Sequence, residues 1–96
     1  AEKTKVFQVE GAILAPVSAE LKEKLSLEEG LQIQGIESGK WRDAGIVEGF
    51  IVTKIDRQPI GSMEQLSAAL SKARGEGILI EGVYPNGEKA YYGLGW

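Results

Sequence analysis

Val9-Glu10-Gly11-Ala12-Ile13-Leu14 reads as a short loop, pinned by a glycine, that runs straight into an apolar strand. Glycine lets the backbone turn sharply and approach a ligand closely, so such a loop can aim backbone N–H groups at a carboxylate. The strand behind it can pair with an added peptide strand. Glycine before a strand is common, and the motif gains weight from its company downstream. A Gly45-Ile46-Val47-Glu48-Gly49 turn, a capped amphipathic helix and a terminal hairpin come after it in that order.

On either side of this stretch, Val6, Phe7 and Val9 suggest a first short strand, and Ala12 to Ala15 a second that Pro16 ends. Ser18 can cap a short helix from Ala19 to Leu25, with Leu21 and Leu25 on one face; Glu29-Gly30 breaks it. Leu31 to Gly35 alternates apolar and polar residues, the signature of a half-buried strand. Glu37 to Asp43, with Trp41 among charges, reads as a surface loop; Trp41 there either packs across the neighbouring turn or anchors a partner. Phe50 to Ile55 is a strongly apolar strand, and Asp56-Arg57-Gln58-Pro59 a turn.

Ser62-Met63-Glu64-Gln65 has the capping-box pattern. Met63, Leu66, Leu70 and Ala73 behind it make one apolar helical stripe, closed by Arg74 and Gly75. Ile78 to Tyr84 and Lys89 to Leu94 are strands joined around Asn86-Gly87, a hairpin signal. The expectation is a β-rich α+β domain with about five or six strands and two helices. Residues 1–6 read as an N-terminal arm or linker remnant and 7–96 as one domain.

Composition narrows the chemistry. With 43% hydrophobic and 26% charged residues among 96, the chain is globular. Fourteen acids against eleven bases give a net charge of −3, which argues against broad electrostatic binding of nucleic acid or anionic membrane. The basic residues are interspersed with acids, unlike a single-strand nucleic-acid groove. No apolar run approaches the roughly 20 residues of a membrane span. Cysteine and histidine are absent, so a His-containing catalytic triad, a thiolate or His-ligated zinc site and a disulfide scaffold are all excluded within this chain. The glutamates, Glu10, Glu20, Glu23, Glu28, Glu29, Glu48 and Glu64 among them, mostly stand beside glycine or in polar stretches and read as solvated faces. No catalytic residue, metal ligand or cofactor is expected.

The order of elements resembles a PDZ domain of the bacterial HtrA/DegP/DegQ serine protease family over roughly residues 7–94, most closely the second PDZ domain. Val9-Glu10-Gly11-Ala12 is similar to that family's carboxylate-binding loop, and Ser18 to Leu25 to its short helix. Ala44 to Ile51 resembles its Ala-Gly-Leu-x-x-Gly-Asp-x-Ile turn, and Ser62 to Ala73 its groove helix. Phe50 stands where the family usually has Asp, Asp56-Arg57 where it has Asn-Gly, and Lys40-Trp41-Arg42-Asp43 where it is Pro-rich, which marks a divergent member.

The resemblance implies a PDZ-like, partly open barrel or sandwich of five to six strands capped by two helices. It implies a peptide-binding regulatory module of a periplasmic, trypsin-like serine endopeptidase, not itself an enzyme. A C-terminal or unfolded polypeptide segment would extend the sheet along Ala12, Ile13 and Leu14. Amides of Glu10, Gly11 and Ala12 would hold its carboxylate. Val9, Ala12, Leu14, Leu66 and Leu70 would form the pocket for its last side chain, and Met63 and Ser67 would face the upstream ones. The alternative is a scaffold domain that binds the protease domain or other copies of the parent protein, with an unused groove. Neither reading involves nucleic acid or membrane insertion.

Overall fold

The alternating and apolar runs become one antiparallel sheet in the computed structural model, which describes residues 7–9, 11–37, 39–72 and 75–95. In chain order the elements are β1 (Phe7–Val9), β2 (Ala12–Pro16), α1 (Ala19–Leu25), β3 (Leu31–Ile36), α2 (Lys40–Asp43) and β4 (Ile51–Ile55). After these come β5 (Gln58–Pro59), α3 (Met63–Lys72), β6 (Gly77–Val83) and β7 (Lys89–Gly95). Six strands form a continuous path, β1-β2-β3-β4-β6-β7, and β5 pairs with β4 beside it. The sheet is open, ending in β1 and β7. The expected arm at 1–6 lies outside the described residues, as do Glu10, Ser38, Ala73, Arg74 and Trp96.

The two expected helices carry the caps read from sequence. Ser18 Oγ accepts from the Leu21 N–H at 3.2 Å, and Leu21 and Leu25 pack on a small cluster of Val17, Ile51 and Val83. Helix α1 ends at Leu25 as expected, but the break comes at Ser26 and not at Glu29-Gly30: Ser26 turns left-handed (φ 57°) and Leu27 N–H donates back to Lys22 O at 2.8 Å. At α3, Ser62 Oγ accepts from Gln65 N–H at 3.2 Å. The Gln65 side chain reaches back to the N–H of Gly61 at 2.7 Å, one residue beyond the usual capping-box partner.

Two expectations need correction. Glu37 to Asp43 is not wholly a loop, since Lys40–Asp43 forms a third helix, one turn long, whose bonds include Asp43 N–H to Gly39 O at 3.0 Å. Trp41 on it is 0% exposed and part of the main core. A four-residue helix has no periodicity to read and is too short to form alone; burial of the indole fixes it. Asp56-Arg57-Gln58-Pro59 is likewise more than a turn. Asp56 and Arg57 (φ 50° and 70°) make a two-residue hairpin that pairs Gln58 with Ile55.

The main core gathers Leu14, Leu31, Ile33, Trp41, Phe50, Val52, Ile55, Leu66, Leu70 and Ile80. Central strand β4 is buried on both faces, with Val52 in this core and Ile51 in the cluster under α1. Phe50 meets Tyr84 and Tyr92 edge-on at centroid distances of 5.1 and 5.2 Å. The two tyrosine hydroxyls hydrogen-bond to each other beside it. An aromatic ring thus fills the position where the resembled turn carries Asp, and it is enclosed by apolar surface rather than water.

Candidate functional site

The candidate site is built from the β1–β2 turn, strand β2 and helix α3. Val9 pairs directly with Ala12, and Gly11, just before Ala12, turns at φ 88°. Only glycine adopts that backbone without strain. The Gly11 carbonyl accepts from Glu37 N–H at 2.6 Å, which ties the turn to the end of β3. Of the loop residues expected to face a carboxylate, Glu10 lies outside the described residues and Gly11 sits in the turn.

Along β2 the side chains alternate. Ala12 and Leu14 are 0% exposed and face the core, while Ile13 is half-buried on the other face, beside Gly35. Helix α3 sends Leu66 and Leu70 into the same core as Ala12 and Leu14. Met63 is half-buried and Ser67 exposed. Ala12, Leu14, Leu66 and Leu70 are therefore brought together, as core side chains. Val9 is placed by its backbone register beside Ala12.

The outer edge of β2 has an occupant that the sequence reading does not predict. Strand β1 runs antiparallel along Ala12–Leu14 on that edge, and β3 takes the other. An extended peptide can therefore add to β2 at Ala12–Leu14 only by replacing β1, because a strand has two hydrogen-bonding edges. The available signal was the Phe7-x-Val9 alternation with Glu10-Gly11 after it, which spells a hairpin as well as a strand and ligand loop.

Two further concavities lie elsewhere. One, of about 500 Å³, runs between the segment after α1 and strands β4, β6 and β7, with Leu27, Thr53, Lys54, Glu81, Lys89 and Tyr91 among its walls. The other, about 510 Å³, comes after α2 and is lined by Ile36, Arg42 and Gly45 to Glu48. Among the described residues, no cluster of three or more acidic, His or Cys side chains is placed to hold a metal, and no helix is long and apolar enough to cross a membrane. Tyr92 has a perturbed phenol: the hydrogen bond with Tyr84, then burial, then the Tyr84 charge push its pKa up to about 12. No family model matches the chain, and no curated protein is similar enough to count as a relative.

Proposed function

We propose that this chain is a PDZ-like peptide-binding module that regulates an HtrA/DegP-like serine protease of the cell envelope, taking C-terminal or extended peptides by strand addition to β2. The observation that carries the reading is Gly11 at φ 88° heading β2, with Ala12 and Leu14 in one core with Leu66 and Leu70 of α3. Loop, strand and long helix come in the order the resemblance requires. Backbone amides at the turn would hold a terminal carboxylate through charge-assisted bonds worth roughly 1.5–3 kcal/mol each. The ligand strand would take the edge that β1 occupies at Ala12–Leu14. Displacing a three-residue strand costs little against a longer ladder, so β1 weakens binding without forbidding it.

The test is a titration with a C-terminal peptide library, each hit repeated as its amide and on a Phe7→Pro chain. Phe7 pairs with Leu14, and proline there removes a backbone donor from the β1–β2 ladder. Amidation is expected to abolish binding, and Phe7→Pro to tighten it about fivefold. Failure of every free C-terminus to bind either chain would reject the reading. The scaffold alternative with Trp41 as its exposed anchor has no support, because that indole is 0% exposed.

A further inference from the structure

Strand β7 is the longest unpaired edge of the sheet among the described residues, and its hydrogen-bonding groups can be assigned. Leu79 N–H donates to Asp56 Oδ1 at 2.9 Å and Leu79 O accepts from Asp56 N–H at 2.8 Å, so the backbone of Leu79 points away from β7. Gly93 is the cross-strand partner of Leu79. In an antiparallel ladder the two residues of such a pair both point outward, so Gly93 presents its N–H and C=O to the free edge. By the same alternation Lys89, Tyr91 and Gly95 do so too.

Natural edges are usually blunted by bulges, prolines, charges or shortness. Strand β7 pairs with β6 over seven residues without a register shift, contains no proline and carries one charge, Lys89. The outer face of this hairpin holds two of the three exposed large hydrophobic residues among those described, Leu79 at 36% and Tyr91 at 62%. Between them the surface is open, since a Cβ at Gly93 or Gly95 would meet nothing within 4 Å.

We infer that a second copy of this chain pairs on this edge, β7 against β7, about a two-fold axis at Tyr92. Tyr92 is the midpoint of Lys89–Gly95, so this register alone pairs all seven residues. It sets each Tyr91 opposite the partner's Gly93 and each Lys89 opposite the partner's Gly95. Both pairs join residues whose backbone groups face outward, as a hydrogen-bonded ladder requires. A large ring then lies over an open glycine beside Leu79, and no like charges meet. The same patch serves both copies, as an isologous interface must. The segment after α2 meets β7 on the opposite, Tyr92 side, where a Cβ at Gly45 would lie 4.0 Å from the ring. The inference is independent of the peptide-binding reading.

The test is sedimentation velocity with hydrogen exchange on the full chain, in a concentration series up to about 1 mM, the range where a small interface saturates. A weak dimer is expected, with the amides of Tyr91 and Gly93 protected only as it forms. Tyr91→Lys, which lines up two lysines on the edge, should raise the dissociation constant at least about tenfold. Gly93→Pro, which removes an outward donor without touching the β6 ladder, should abolish the dimer. Should Gly93→Pro fold poorly, Tyr91→Lys still decides. A monomer throughout the series, or a dimer that ignores both substitutions, overturns the inference. So does protection of these amides in dilute monomer, which would mean that another segment of the chain covers the edge.

Discussion

Gly82 illustrates how one residue can be dictated by its neighbours. A Cβ there would run into the carbonyl oxygen of Ile51 and come within 2.6 Å of Phe50 Cζ, so β6 lies against β4 only because nothing projects at this position. Gly82→Ala must push the central strand or the Phe50 ring aside, and is expected to cost about 3 kcal/mol in urea unfolding. Tyr92 couples a single side chain to pH. Its folded pKa, about 12, lies above the ordinary 10.0, so the folded state favours the neutral phenol. The resulting stabilisation is complete below pH 10 and is lost as pH rises toward 12. Tyr92→Phe should lose about 1 kcal/mol at neutral pH with the hydrogen bond, yet remove its share of the alkaline decline. Thermal melts from pH 7 to 12 check both halves.

At the level of elements, helix α3 depends on its first turn. Ser62 satisfies an otherwise orphan N–H of Gln65, and Gln65 in turn satisfies that of Gly61. Ser62→Ala should destabilise the chain by about 1 kcal/mol, read as a shift in the denaturation midpoint at unchanged slope. These caps were legible because they are local: a serine three residues before a glutamine needs no distant partner. The Asn86-Gly87 hairpin was legible for the same reason. Gly87 sits at φ 95° and donates to Tyr84 O at 2.8 Å, while the Asn86 side chain accepts from Glu88 N–H at 2.9 Å. Helix α2 was not legible, because its four residues contain no signal except a tryptophan whose destination lies in other elements.

For the molecule as one body, Trp41 joins α2 to the core that β2, β3, β4, α3 and β6 build. Trp41→Ala is expected to cost about 3–5 kcal/mol, a large part of the roughly 5–15 kcal/mol typical of a domain's total stability. Calorimetry should find a broadened or lost transition, whereas an exposed anchor would leave it unchanged. Residue order alone specified the β-rich α+β class, both longer helices and their caps, the hairpin, and the apolar stripe of Leu66 and Leu70. All of these arise from contacts within a few residues or from a fixed hydrophobic period. Composition also excluded His- and Cys-dependent chemistry without any structure. Long-range packing made Trp41 core, put β1 on the outer edge of β2, and left the outer edge of β7 without a partner strand among the described residues. Edge occupancy depends on which strands meet across long separations, and that choice is made by the packing of the whole sheet.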